Sequence, residues 1–174
     1  MTQEDAPGRV PTHFTNDFSD LEPEFMKRVA RIVWCSMATV DRQDRPRMRV
    51  AHPIWEVVDG KPVGYWSTFP RSLKAKHIAR NPNVSLTYWD PVHEQIYVEA
   101  KADWLDTPED RQRVWDLYKS TPEPLGYDLA VWGFWKAGPQ GKNFGVLRLQ
   151  PTRVEMFSIG DLMARRPPTV WKAR

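Results

Sequence analysis

Two stretches of this 174-residue sequence bring together the side chains best suited to hold an anion. Pro46-Arg47-Met48-Arg49-Val50 reads as a strand on which Arg47 and Arg49 share a face. Ser67-Thr68-Phe69-Pro70-Arg71-Ser72-Leu73-Lys74 sets hydroxyls and a lysine around the first turn of a helix, where free N–H groups favour negative charge. Guanidinium and ammonium donors beside such a turn suit a phosphate. The same spacing also fits solvated charges on an exposed strand and helix.

Other chemistries find less support. His52, His77 and His93 show no metal-ligand spacing with Cys35 or with one another, so no metal site is expected. Ser36, Ser67 and Ser72 lack the Gly-x-Ser-x-Gly elbow of a nucleophile, and no catalytic residue is assigned. His52 reads as a packed or surface histidine before it reads as a substrate contact. The run Trp132-Gly133-Phe134-Trp135 fits a loop over an aromatic cofactor and core packing equally well.

The elements that must position these residues follow from periodicity. Residues 1–18 are polar and read as an arm. Ser19 and Glu22 have capping-box spacing, and Leu21, Phe25, Val29 and Ile32 recur at helical intervals, predicting a helix over 20–31. Strands are predicted at 33–40, 46–58 and 62–67, the last two joined by Asp59-Gly60. A short helix over 71–80 is closed by Asn81-Pro82. Alternation then marks two more strands, the clearer one running from Gln95 to Trp104. Thr107-Pro108-Glu109 opens a helix over 108–119, with an N-cap, a proline at the first helical position and a favourable acid. Two final strands are expected at 143–149 and 152–158, with a loose basic tail after them. The expected organisation is thus an arm (1–18), one domain (19–158) and a tail (159–174).

Composition agrees with one domain of mainly β class. Sixteen prolines favour short elements over a helix bundle, and about seven strands without β-helix-β alternation point to an antiparallel barrel. A net charge of +3 does not support nucleic-acid binding. No stretch approaches the roughly eighteen apolar residues of a membrane helix, and the first residues lack a basic segment followed by an apolar run, so neither membrane insertion nor secretion is expected. The single cysteine, Cys35, lies among apolar neighbours and reads as a buried thiol, which fits a cytoplasmic location.

Taken in order, Arg-Pro-Arg-Met-Arg-Val, Tyr-Trp-Ser-Thr, Ser-Leu-Lys with Asn81-Pro82, Val-Ser-Leu-Thr-Tyr-Trp and Gln-Ile-Tyr-Val-Glu-Ala resemble the pyridoxamine 5'-phosphate oxidase-like flavoproteins. The resemblance runs from about Arg31 to Phe157, and Val-Leu-Arg-Leu-Gln-Pro-Thr-Arg-Val-Glu-Met-Phe looks like that family's last two strands. It implies a split antiparallel barrel of six to eight strands with about three peripheral helices.

The resemblance also implies FMN as cofactor. Arg49 matches a strand arginine that contacts the FMN phosphate, with Arg47 beside it and Val50, Ala51 and His52 continuing under the flavin. Thr68 matches a threonine near the isoalloxazine edge, with Ser67 beside it as a further cofactor-binding candidate, Lys74 matches the phosphate-binding lysine, Ser72 adds a possible donor, and Gln95 matches a glutamine that reaches the flavin. Leu73 departs from the pattern, since the true oxidase has an arginine there. Trp171 and Arg174 lack the spacing of that enzyme's C-terminal substrate residues. The expectation is an FMN-dependent oxidoreductase acting on a small organic molecule other than pyridoxamine phosphate, and a homodimer with flavin between subunits. Its rivals are a deazaflavin-dependent reductase, whose acidic tail Arg47, Arg71 and Lys76 would meet, and a flavin- or haem-binding protein without turnover.

Overall fold

The computed structural model describes residues 12–174, so most of the expected arm lies outside the described residues. The strands are β1 (His13–Thr15), β2 (Cys35–Val40), β3 (Pro46–Ala51), β4 (Ile54–Val58), β5 (Lys61–Thr68), β6 (Asn83–Trp89), β7 (Glu94–Leu105), β8 (Gly145–Ser158) and β9 (Thr169–Lys172). The helices are α1 (Glu22–Ile32), α2 (Leu73–Arg80), α3 (Pro108–Ser120) and α4 (Ile159–Met163). The mainly β, barrel-like architecture expected from the sequence is the one observed. All pairings are antiparallel except β1 on β9.

The sheet runs β1-β9-β8-β7-β6-β2-β3, and β5 joins it by pairing with β8. The predicted strand 46–58 is two strands. It breaks at His52-Pro53, where proline cannot donate to a ladder, so β3 pairs with β2 while β4 pairs with β5. Conversely, the two predicted final strands are one, because β8 runs through Pro151. Pro151 sits opposite Ala100, beside the register shift at Glu99/Ala100 where the ladder is already interrupted. Asp59 and Gly60 both have positive φ, as the hairpin between β4 and β5 requires.

The barrel is split where β3 ends. Among the described residues β3 pairs only with β2, and Trp66–Thr68 of β5 extend beyond the last β4 partner, Ile54↔Tyr65. Inside the barrel, Met37, Trp55, Trp66, Leu86, Val98 and Trp171 belong to one buried cluster. A second cluster, containing Ile54, Tyr65, Val114, Tyr118, Trp135 and Phe144, lies beneath α3. The Thr107 hydroxyl caps α3 by accepting the Asp110 N–H at 3.1 Å, as its sequence predicts.

Three local expectations change. The Ser19–Glu22 capping box does not form; Phe18–Asp20 is a 3-10 turn capped by Asp17, and α1 starts after Leu21. Residues from Asp161 onward are not a loose tail, since β9 pairs with β8 and buries Val170 and Trp171. Residues 13–15 of the expected arm pair with β9, and Phe18 is buried. Cys35 is buried, and burial pushes its thiol pKa up to about 12, the state of an inert sulfur.

Candidate functional site

Arg49 points to the inner face of the sheet, since it sits directly opposite the buried Met37 on β2. Its Nη1 donates to the Thr39 hydroxyl at 2.9 Å. Lys74, on the first turn of α2, places Nζ 5.3 Å from the centre of the buried Trp66 ring, which also faces the barrel interior. Neither cation has a carboxylate partner among the described residues. Burial, and then the Arg49 charge, depress the Lys74 pKa to about 8. Burial, and then the Arg47 charge, lower that of Arg49. Two uncompensated, partly buried cations close enough to perturb each other form a centre that an anion would relieve.

The strand end beside them adds hydroxyls. Ser67 and Thr68 are both buried, and they point to opposite sides of β5. Ser67 Oγ has no hydrogen-bond partner, and neither ring nitrogen of His52 has one. His52 stacks on Tyr127 at 5.4 Å between ring centres and touches Trp34 and Tyr118. Burial lowers the His52 pKa, opposed by the nearby Leu125 backbone. It is a packed histidine, as its sequence context suggests, but one with unused polar atoms.

The remaining expected residues divide by face. Ala51 is buried inward, whereas Val50 is exposed on the outer face. Arg47 shares the inner face with Arg49 and lines a groove of about 360 Å³ with Arg42, Arg45, Lys76, His77 and Arg80. Ser72 is half-buried and its hydroxyl donates to the Phe69 carbonyl at 2.9 Å, so its side chain serves the turn before α2. Gln95 does not join Arg49 and Lys74. It alternates with the inward Ile96 and Val98 and so faces outward with Tyr97, whose hydroxyl donates to it. The structure therefore brings Arg49 and Lys74 together, sets Thr68 on the Trp66 side of β5 and Ser67 on the other, and leaves Gln95 on the opposite face of the sheet from Arg49.

The aromatic run divides too. Trp135 is core, its Nε1 donating to the Asn143 carbonyl at 3.0 Å. Trp132 and Phe134 are half exposed and stacked 10° from parallel, and Phe134 meets Phe69 at 5.1 Å, immediately after Thr68. Thr39 and Tyr118 were not singled out from the sequence. The β2–β3 turn, which places Thr39 opposite Arg47, carried the only signal for the first.

An FMN phosphate fits these residues on one observation: two neighbouring, partly buried cations at the split without a carboxylate partner among the described residues. Among the described residues, no helix is long and apolar enough to cross a membrane.

Comparison with known proteins bears on the family and the fold. A profile of the family described as pyridoxamine 5'-phosphate oxidase matches residues 21–158. A pyridoxine/pyridoxamine 5'-phosphate oxidase of Pseudomonas entomophila (strain L48) is 28% identical over 144 residues, covering 82% of this chain and 60% of its own length. One from Pseudomonas fluorescens (strain Pf0-1) is 27% identical over 108 residues, 62% of this chain and 44% of its own length. The chain thus spans between about two fifths and three fifths of these curated relatives. Among solved structures, a Clostridium acetobutylicum protein related to general stress protein 26 superposes with a TM-score of 0.64 at 12% identity, covering 86% of this chain and 92% of the other. A pyridoxamine 5'-phosphate oxidase-related, FMN-binding protein from Nostoc punctiforme PCC 73102 has a TM-score of 0.58 at 18% identity, covering 80% and 84%. At these identities the structural likeness establishes the fold.

Proposed function

The chain belongs to the pyridoxamine 5'-phosphate oxidase family, and from that premise we propose that it binds FMN at the split of the barrel and catalyses redox chemistry on a small organic molecule. The observation that carries this reading is the pair Arg49 and Lys74, two partly buried cations without a carboxylate partner among the described residues. They would hold the phosphate through charge-assisted bonds, while Ser67, Thr68 and the Val50–His52 segment border the ring. Bound flavin supplies hydride transfer, and the protein need contribute little beyond position and electrostatics. The absence of an assigned catalytic acid or base is compatible with that.

Pyridoxamine phosphate itself is a poor candidate substrate. Its phosphate needs a second set of cations, and in the true oxidase the residues that build it lie largely near the C-terminus. Here Trp171 is buried in the core with Nε1 donating to the Asn16 carbonyl at 3.2 Å, and Lys172 lies 4.5 Å over the Phe14 ring. The half-exposed Trp132 and Phe134, beside Phe69, favour a flat apolar or aromatic molecule instead. Anaerobic reduction of the bound flavin, followed by reoxidation with oxygen, quinones or pyridoxal 5'-phosphate, tests this. Efficient turnover of pyridoxamine phosphate would reject the substrate reading, and no turnover with any acceptor would favour a binding protein.

The groove around Arg47, Lys76 and Arg80 favours a second reading, a deazaflavin with a polyanionic tail. Arg47, Arg71 and Lys76 have no carboxylate partner among the described residues and would meet that tail. The absorption spectrum of the protein as purified separates the two cofactors.

A homodimer is part of the proposal. Gln95 and Arg49 lie on opposite faces of one sheet, so a flavin contacting both needs Gln95 of the partner subunit.

A further inference from the structure

Thr39 is fully buried on β2, and its hydroxyl is shared between two elements. Arg49 Nη1 donates to it at 2.9 Å, and His77 Nδ1 lies 2.9 Å away on α2, also buried. A hydroxyl has one proton and two lone pairs, and a guanidinium only donates. One Thr39 lone pair therefore serves Arg49, and its proton and second lone pair remain for His77. Either neutral tautomer of His77 closes this bond, Nδ1 accepting from the hydroxyl or donating to it.

The consequence is directional. In the β2–β3 register Arg49 is opposite Met37, and Thr39 is opposite Arg47. Arg49 thus reaches Thr39 diagonally, a contact that strand pairing does not impose. Among the described residues no carboxylate fixes the guanidinium, and the Thr39 hydroxyl is what holds its fork in place. His77 follows Lys74 by three residues on α2, so the helix that carries the lysine also orients the threonine.

We propose that Thr39 and His77 are positioning residues that preset Arg49 to receive a ligand phosphate beside Lys74. Presetting a flexible cation before binding removes an ordering cost that would otherwise oppose the phosphate contact. The inference rests on the reading of the split as an FMN site. It assigns to two residues that never touch the ring the preference for the phosphorylated flavin.

Riboflavin, which lacks the phosphate, makes the test independent of turnover. The ratio of riboflavin to FMN dissociation constants is measured by flavin fluorescence quenching for the unaltered protein and for Thr39→Val, Thr39→Ser and His77→Leu. Thr39→Val keeps the side-chain shape and removes both bonds. It should lower the ratio about tenfold, equivalent to ~1.4 kcal/mol, with riboflavin affinity unchanged within about twofold, and Thr39→Ser should restore the ratio. His77→Leu leaves β2 intact, should lower the ratio about threefold, and provides the same test if Thr39→Val is insoluble. A ratio unchanged in Thr39→Val and His77→Leu, or equal weakening of both flavins, overturns the inference while leaving the FMN site standing. Equal affinity of the unaltered protein for both flavins overturns the phosphate site and this inference with it.

Discussion

The Tyr118 hydroxyl, reaching in from α3, donates to the His52 carbonyl at 2.5 Å and accepts the Ser67 amide at 3.2 Å. Continuing the β4–β5 register past Ile54↔Tyr65 would set His52 opposite Ser67, so one side-chain hydroxyl stands where a ladder bond would be. It bridges the split at the level of the candidate site. Burial raises the Tyr118 pKa well above that of free tyrosine, keeping the proton it donates.

Tyr118→Phe should therefore leave a buried carbonyl and a buried amide unpaired. Each such group costs about 1–3 kcal/mol. Urea unfolding should show a loss of ~2 kcal/mol or more, with a melting temperature lower by ~4–8 °C for a chain of this size. A loss below about 0.5 kcal/mol would show that water replaces the hydroxyl and that the clasp has little energetic weight.

Lys74 gives the site a pH dependence. Its folded pKa of about 8 lies below the ordinary lysine value of 10.5, so between these values the unfolded chain binds more protons and apo-protein stability rises with pH. FMN binding needs the charged lysine, so affinity should fall as pH rises through about 8. A phosphate monoester loses its second proton near pH ~6, so affinity should also fall below that. Lys74→Gln should flatten the alkaline limb and leave the acidic one. An alkaline limb that survives in Lys74→Gln would assign the titration to another group.

The outer face of the sheet predicts association. Trp34, Met48, Val50, Trp89 and Tyr97 are exposed there, and among the described residues β3 offers an unpaired edge. Sedimentation should give a dimer at micromolar concentration, and Val50→Glu should shift it toward monomer while weakening FMN. A monomer with flavin bound would reject the intersubunit site.

Much of this arrangement is legible in the sequence, for identifiable reasons. Alternation in Ile96–Ala102 and the cap at Thr107 are local signals, and both elements form where they predict. The break at His52-Pro53 and the continuity through Pro151 are not local. Each depends on which strand lies alongside, since a proline ends a ladder at His52-Pro53 and is absorbed by a register shift in β8. Arg49 and Lys74 were readable as cations near a strand and a helix start. The separation of Gln95 from them follows from counting faces through three strand registers, and the Arg49–Thr39–His77 chain crosses from strand to helix. Only the assembled sheet contains either relationship.

The central claim is that Arg49 and Lys74 bind the phosphate of FMN. Its most direct test is titration of FMN into apo-protein carrying Arg49→Ala or Lys74→Ala, followed calorimetrically. A charge-assisted hydrogen bond contributes ~1.5–3 kcal/mol, so each substitution should weaken binding by more than about tenfold while riboflavin affinity stays near that of the unaltered protein. Unaltered FMN affinity in both variants would contradict the account.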